Sequence, residues 1–270
     1  RWRVVAEDQP ALWDANDQAV LIKNERIEVY VNDDNLDGDV YSTAVGSPTN
    51  NGRTANFPLR NPDAALSLYT LGPDDVMYVD TGVYALTNLQ GLAVGLIGSE
   101  QELGLSNLPI RIIGSTNFAM GGSRIVPAPE ANSIGVLINN TRFVNLENFF
   151  IEGGRGDGVS VVRSTDVSLK RVTSRDNGAN GFYVTSLSDV YADRCVAWGN
   201  TNYGFVVEGT SEAIFNRGVL WSNRNGAAHA DGAMWRASNS ILCTYGTNAY
   251  LIRMSGLAGW AAGDYNIYYP

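Results

Sequence analysis

Residues 158–170 read GVSVVRSTDVSLK, residues 181–193 read GFYVTSLSDVYAD, and residues 204–216 read GFVVEGTSEAIFN. The three stretches align without a gap at a constant 23-residue offset, and each begins with a glycine. Apolar residues recur at alternate positions, as in the VSL of the first stretch, and a period of two is typical of β-strands. Glycines at fixed intervals mark the turns between strands. The chain therefore repeats a unit of short strands and turns with a 23-residue period.

This repeat predicts an all-β solenoid, a parallel β-helix with 23-residue coils. A single coil cannot bury its own apolar face, so coils must stack, with each strand about 4.8 Å from its equivalent in the next coil. We expect the 23-residue coil from Val136 to Gly226. Beyond Gly226 the apolar columns match again only at a 28-residue offset, from Ala213 to Ile241. The mismatch predicts an insertion at residues 226–232.

Two further patterns concern the stability of the solenoid. Asn177, Asn200 and Asn223 share one column, which predicts a ladder of stacked amides. Residues 61–69 begin with Asn-Pro-Asp, which is typical of a helix N-terminus. We expect this short helix to cap the N-terminal end of the core, where open strand edges would otherwise be exposed.

Length and charge exclude several classes of protein. The chain has 270 residues and a formal net charge of −9, which argues against binding to nucleic acid or to anionic membranes. No run approaches the roughly 18 apolar residues of a membrane span. We assign residues 28–270 to one solenoid. Residues 1–27 form an extension or cap, in which residues 1–5 and 19–23 could each be a strand.

The N-terminal and C-terminal parts of the solenoid resemble a known family. The stretches concerned are YVND (30–33), NGRT (51–54), GPDDVMYVD (72–80) and GDYNIYY (263–269). They look like pectate-lyase-like right-handed β-helix modules, including the carbohydrate-binding and sugar-hydrolase repeats of large bacterial extracellular proteins. The resemblance implies a right-handed helix, a polysaccharide partner and an extracellular or cell-surface location. It also implies neighbouring modules, or copies of the chain stacked end to end.

Residues 33–39 read DDNLDGD and form a candidate calcium site. Oxygen-bearing side chains at alternate positions, with a glycine before the last acid, match the first half of a calcium loop. The acid expected at the twelfth position is replaced by Ala44. The alternative is a solvated acidic turn. The candidate ligands are Asp33, Asn35, Asp37 and Asp39.

The resemblance also places a saccharide groove, because one outer sheet face commonly forms it in this superfamily. Here that face lies over residues 159–163 and their equivalents in neighbouring coils. The predicted insertion carries His229 and Asp231 beside this face. Loops that interrupt a regular scaffold often carry binding or catalytic residues. The 28-residue offset places Arg236 next to Glu208 there. Candidate sugar-binding residues on or beside the face are Arg155, Asp157, Arg163, Tyr183 and Tyr203.

Two reactions are compatible with these residues. A polysaccharide lyase needs a base and a cation that neutralises the uronate carboxylate; His229 or Arg236 could be the base, with Arg155 or Arg163 as the cation. A glycoside hydrolase needs two carboxylates roughly 5–9.5 Å apart. Glu208 and Asp231 are the candidate pair. The structural alternative is that Glu208 and Arg236 form only a surface ion pair.

Two other columns could contact a ligand. Arg171, Arg194 and Arg217 lie one coil apart, so acids must accompany them; Glu147 and Asp193 in the neighbouring column, or an acidic polysaccharide, would serve. Trp198 and Trp221 also share a column. Exposed, they would form a sugar-binding platform, and buried, they would be core residues.

Three functions follow as hypotheses. The first is a carbohydrate-binding or structural module of a larger surface or secreted protein. The second is an enzyme on an acidic polysaccharide, in which case we expect a lyase or epimerase before a hydrolase. The third is a subunit that assembles end to end into fibres.

Overall fold

The structure is a computed structural model that describes residues 3–5, 13–15, 26–95, 104–244, 249–256 and 260–269. The elements that precede the regular repeat are β1 (Arg3–Val5), β2 (Trp13–Ala15), β3 (Glu28–Val31), α1 (Pro62–Leu68), β4 (Val76–Val79), β5 (Gly82–Ala85), β6 (Leu92–Gly95), β7 (Ile110–Gly114), a 3₁₀ turn (Phe118–Met120) and β8 (Ser123–Val126).

The remaining strands follow one another around the coils. They are β9 (Val136–Asn139), β10 (Arg142–Glu147), β11 (Phe149–Glu152), β12 (Val159–Val162), β13 (Thr165–Lys170), β14 (Thr173–Arg175), β15 (Phe182–Thr185), β16 (Asp189–Asp193), β17 (Val196–Trp198), β18 (Tyr203–Glu208), β19 (Glu212–Asn216), β20 (Val219–Asn223), β21 (Gly226–Asp231), β22 (Met234–Ser238), β23 (Ile241–Thr244), β24 (Tyr250–Ser255), β25 (Trp260–Asp264) and β26 (Ile267–Tyr269).

These strands form three parallel sheets that run along the solenoid. The nine-stranded sheet has the order β25-β22-β19-β16-β13-β10-β7-β4-β3, the eight-stranded sheet β26-β23-β20-β17-β14-β11-β8-β5, and the seven-stranded sheet β24-β21-β18-β15-β12-β9-β6. Each regular coil gives one strand to each sheet. The predicted all-β parallel β-helix is therefore confirmed.

The 23-residue coil is confirmed over the predicted range. In the seven-stranded sheet Val136 pairs with Val159, which pairs with Phe182. Phe182 in turn pairs with Phe205, and Tyr203 pairs with Gly226. The inward side chains of all three sheets form one continuous core. In it the rings of Phe182 and Phe205 stack with centroids 5.4 Å apart.

The predicted insertion at residues 226–232 is wrong. Residues 226–231 form strand β21, and in the next strand of the nine-stranded sheet Trp235 lies beside Ala213, one position short of the regular repeat. The prediction relied on the apolar match between Ala213 and Ile241, because the glycine and alanines of residues 226–230 favour no strand by themselves. Here Ala228 and Ala230 are buried, and the large indole of Trp235 is buried in the same core. Burial overrides local propensity.

The asparagine ladder forms as predicted. The backbone N–H and the side-chain amide of Asn177 both donate to Oδ1 of Asn200, at 3.1 and 3.0 Å. Asn200 donates to Oδ1 of Asn223 in the same way, at 3.2 and 2.9 Å. All three residues are buried. The ladder satisfies turn amides that would otherwise lie unpaired in the core.

The capping helix is also confirmed. Asn61 is the N-cap residue, Pro62 opens α1, and Tyr69 is the C-cap residue, although the Asn61 side chain makes no capping hydrogen bond. Ala65 is buried, and Leu66 and Tyr69 pack against the core.

Among the described residues of the N-terminal segment, β1 pairs with β2 in antiparallel orientation. The possible strand at residues 19–23 lies outside the described residues. Across the part of the chain that the structure describes, no helix has the length and apolar character needed to cross a membrane.

Candidate functional site

The outer face of the seven-stranded sheet gathers most of the predicted site residues. Two columns of side chains point away from the core, because alternate residues of a strand face opposite sides. One column runs through Ser160, Tyr183, Val206, His229 and Arg253. The other includes Glu208, Asp231 and Ser255. We call Tyr183, Tyr203, Glu208, His229, Asp231, Arg253 and Ser255 the outer-face cluster.

Two carboxylates occupy adjacent coils in this cluster. Glu208 pairs in register with Asp231, so their backbones are about one strand spacing apart. The hydroxyl of Tyr183 donates to Oε2 of Glu208 at 2.8 Å. Burial raises the pKa of Tyr183, and the hydrogen bond and the charge of Glu208 raise it further. Tyr183 therefore remains a proton donor beside the acid pair.

His229 lies at the centre of the cluster. Its Nε2 is 2.8 Å from Oγ of Ser255, in a hydrogen bond whose donor depends on the tautomer. Its ring lies 5.1 Å from that of Tyr203, centroid to centroid. The Tyr203 hydroxyl accepts a hydrogen bond of 3.2 Å from Nη1 of Arg253.

The surroundings of His229 favour its neutral form. Partial burial lowers the pKa of the imidazole below its ordinary value, and the positive charge of Arg253 lowers it further. The carboxylates of Glu208 and Asp231 act in the opposite direction without reversing the shift. A neutral imidazole beside a guanidinium can accept a proton, which is the requirement for a general base.

Asp157 lies at one edge of the same face, in the turn before β12. Its Oδ1 accepts hydrogen bonds from the backbone N–H and the side-chain amide of Asn180, at 3.0 and 2.9 Å. Its Oδ2 accepts one from Ser160 at 3.1 Å. Burial raises its pKa against the effect of these hydrogen bonds. Asp157 is thus held in place by the protein and shapes the edge of the face.

The two arginines predicted near this face lie at its periphery. Arg163 follows β12 and donates to Oδ1 of Asn139 at 3.0 Å. Arg155 is exposed in the preceding turn. Arg253 is the cation hydrogen-bonded within the cluster instead.

Two placements predicted from the 28-residue offset are wrong. His229 and Asp231 belong to strand β21 rather than to a loop. Arg236 is not beside Glu208, because it pairs with Ile214 on the nine-stranded sheet. Both errors have the same cause, an alanine-rich strand whose sequence suggests an insertion.

Two members of the cluster were not predicted. Arg253 and Ser255 are on β24, which pairs with β21 so that Tyr250 lies beside Gly226, one position beyond the regular repeat. The change of register places them outside the 23-residue frame. The alternation of Ile252, Arg253 and Met254 between apolar and polar is the signal that could have identified Arg253 as an outward-facing residue.

The remaining predicted columns lie on other faces. Trp198 and Trp221 are neighbours on the outer face of the eight-stranded sheet, with ring centroids 6.3 Å apart and ring planes inclined by 37°. The arginine column is accompanied by protein acids, as the structural interpretation predicted: Arg171 contacts Glu147, and Arg194 and Arg217 contact Asp193.

Several side-chain oxygens of the acidic loop accept hydrogen bonds from the protein itself. Oδ1 of Asp33 and Oδ1 of Asn35 accept backbone N–H groups two residues ahead, and Oδ2 of Asp39 accepts a hydrogen bond of 2.6 Å from Asn32. The described residues contain no group of three or more His, Cys, Asp and Glu side chains that could hold a metal. Calcium binding through Asp33, Asn35, Asp37 and Asp39 stays a prediction, since calcium also accepts amide and carbonyl oxygens.

Comparisons with known proteins agree with this architecture. The family model of the right-handed β-helix region matches residues 104–247. The fold is similar to that of pectate lyase Pel9A, with 15% identity and a TM-score of 0.64 over 83% of this chain and 56% of that one. It is also similar to a rhamnogalacturonan lyase, with 14% identity and a TM-score of 0.64 over 85% and 62% of the two chains.

At these identities the two lyases share the fold, and this chain spans 56% and 62% of their lengths. Comparison with curated protein sequences finds no match.

Proposed function

We propose that this chain, which belongs to the right-handed β-helix family, is a module that binds a polysaccharide along the outer face of its seven-stranded sheet. The observation that supports this most is the outer-face cluster, in which aromatic, carboxylate, imidazole and guanidinium groups converge on a regular surface. Such groups bind sugar hydroxyls and stack against sugar rings. An extracellular or cell-surface location is part of the proposal.

The direct test is affinity electrophoresis in gels that contain polygalacturonate, alginate or xylan. We expect at least one polymer to retard the protein, and Arg253→Ala to reduce the retardation by removing a cation and freeing the Tyr203 hydroxyl. Arg217→Ala is the matched control, because Arg217 is bound by Asp193 on another face. Equal retardation of both variants and the wild type would contradict the proposed surface.

A second candidate function is hydrolysis of the bound glycan. The observation that favours it is the stacking of Glu208 on Asp231 with Tyr183 hydrogen-bonded to one of them, since hydrolases use two carboxylates on either side of a glycosidic bond. With His229 neutral, the cluster carries two negative charges and one positive charge. This balance favours a neutral glycan, whereas a lyase acting on uronate would need a further cation such as calcium.

The two reactions give different products. Hydrolysis releases reducing ends without ultraviolet absorbance, whereas a lyase produces an absorbing unsaturated end. We expect Glu208→Gln to abolish any reducing-end release, and Glu212→Gln, on the nine-stranded sheet, to leave it unchanged. Absorbing product that requires calcium would favour the lyase. End-to-end assembly into fibres stays a prediction, which electron microscopy of the purified chain tests.

A further inference from the structure

The outer face of the eight-stranded sheet carries a second arrangement of aromatic and charged groups. Glu152, Arg175, Trp198 and Trp221 follow one another in register on four consecutive coils. We call these four residues the indole ladder. It lies on a different sheet from the outer-face cluster and shares no residue with it.

The tryptophans of the ladder differ from the aromatic pairs of the core. Phe182 and Phe205 stack at 0% exposure, as expected of side chains that only fill volume. Trp221, by contrast, is 49% exposed. An indole with this exposure offers an apolar ring face to a ligand, and burying a large aromatic side chain is worth about 2–3 kcal/mol.

The charged end of the ladder is fixed in advance of any ligand. The guanidinium of Arg175 lies 5.4 Å from the centroid of the Trp198 ring, in a cation–π contact. Glu152 pairs with both Arg175 and Arg124. Burial opposes the ionisation of Glu152, but its two arginine partners prevail and hold its pKa below the ordinary value. The ion pairs and the cation–π contact therefore hold the Trp198 ring in place before a ligand binds, which lowers the entropy lost on binding.

The borders of the ladder have unlike chemistry. On one side lies an apolar column that contains Val196, Val219 and Ile241, the last of which is 41% exposed. On the other side the turns present polar residues, including the exposed Asp176. The face of an indole with a polar border beside it matches a pyranose ring, which has an apolar C–H face and a hydroxyl edge.

The repeat of the ladder also favours a repeating ligand. The indole centroids are 6.3 Å apart, with an angle of 37° between the ring planes. The two rings follow each other along the solenoid axis, because the coils stack in that direction, so a ligand made of consecutive rings can lie across both.

We propose that the indole ladder is a saccharide-binding platform, on which consecutive pyranose rings lie against Trp198 and Trp221 while Arg175 and Asp176 bind their polar edges. This proposal rests on the proposed function in one respect only, namely that the ligand is a polysaccharide. It adds a second binding surface on another sheet, and either surface can exist without the other. Uronate and neutral glycans share the apolar ring face, so the test includes both.

Affinity electrophoresis in polygalacturonate, alginate and xylan gels tests the platform with the whole chain. We expect Trp221→Ala to weaken binding about tenfold or more, as truncation of a central aromatic contact does. Trp221→Tyr, which keeps a flat ring, should retain part of the affinity and covers the case in which the alanine variant folds poorly. Tyr191→Ala is the control, since Tyr191 is 44% exposed on the nine-stranded sheet.

Each outcome decides between the two surfaces. Loss of binding in Trp221→Ala but not in Arg253→Ala supports the platform and contradicts the outer-face proposal. The reverse pattern overturns the platform alone. Absence of binding by the wild type to all three polymers also overturns it. So does a wild-type dimer that Trp221→Ala converts to a monomer, since the patch would then be an interface between copies.

Discussion

Asp39 is partly buried in the loop that follows β3, and it is close enough to Asp80 for their charges to repel. Burial and the negative charge of Asp80 raise the pKa of Asp39, the hydrogen bond from Asn32 lowers it by less, and the result is a pKa of about 6. One of its oxygens, Oδ1, is buried without a hydrogen-bond partner. The folded protein therefore binds the proton of Asp39 more tightly than the unfolded chain does.

The sign of the pH effect follows from this raised pKa. A group that binds its proton more tightly in the folded state stabilises the fold at low pH, and this contribution is lost as the pH rises through the folded pKa. We expect Asp39→Asn to raise the melting temperature at pH 7–8 and to lose this advantage between about pH 6 and pH 4. Thermal unfolding at several pH values measures it.

The control for Asp39 is Asn35→Ala, in the same loop, which changes no titratable group. Its difference from the wild type should stay constant over that range. A constant difference for Asp39→Asn would contradict the raised pKa. The same melts with calcium added test the predicted metal site, because a calcium-dependent rise that Asp39→Asn removes would support it.

At the residue scale, the sequence predicted contacts only where the repeat is unbroken. Tyr183 and Glu208 were assigned to one face because Val206, one 23-residue step from Tyr183, lies two positions before Glu208 in the same strand. His229 was placed beside that face only through the predicted insertion, which the structure replaces with strand β21. Arg253 could not be assigned to that face, since β24 pairs at a different offset. Whether Trp221 is exposed could not be predicted either, because a shared column fixes stacking without fixing which side of the sheet faces the core.

At the scale of the element, the asparagine ladder is the device that holds consecutive turns together. Asn200 is bonded on both sides: Oδ1 accepts two hydrogen bonds from Asn177, and the amide donates to Ser174 O and Asn223 Oδ1 at 3.1 and 2.9 Å. Asn200→Ala leaves buried groups on both neighbours without these partners. We expect a loss of about 2–4 kcal/mol in the free energy of unfolding, measured by urea denaturation.

The matched control for the ladder is Asn225→Ala. Asn225 is exposed, and its amide donates to Oδ1 of Asn202 one coil away. It has the same chemistry and spacing without burial, so its loss should be under about 0.5 kcal/mol. Similar effects for the two substitutions would contradict a role for burial.

Strand prediction succeeded and failed for reasons that single elements illustrate. Strand β15 was predictable because Phe182 and Val184 alternate with polar residues and favour strands. Strand β21 was not, because its glycine and alanines favour no strand by themselves. Its structure is imposed by pairing with β18 and by the space that small side chains leave for Trp235.

At the scale of the whole molecule, a solenoid is held together by contacts between neighbouring coils, so stability can vary along its axis. The first coils are covered by α1, whose Ala65 is buried and whose Leu66 packs against the core. The last described strands differ: β26 is exposed along its length, and β24 is partly or fully exposed. We expect amides of β12, β15 and β18 to exchange at least about a hundredfold more slowly than those of β24 and β26.

A substitution in the capping helix α1 tests whether the stability of each coil depends only on its neighbours. Ala65→Asp places a carboxylate where the methyl group is buried, so α1 should detach from the core. Because coupling passes from coil to coil, we expect hydrogen exchange to accelerate in β3 and β6, which α1 contacts, while β18 and β21 keep their protection. Asp63→Asn, in the first turn of the same helix, should leave both regions unchanged. Uniform acceleration along the chain would show that the solenoid unfolds as one cooperative block, in which case the two ends cannot have separate stabilities.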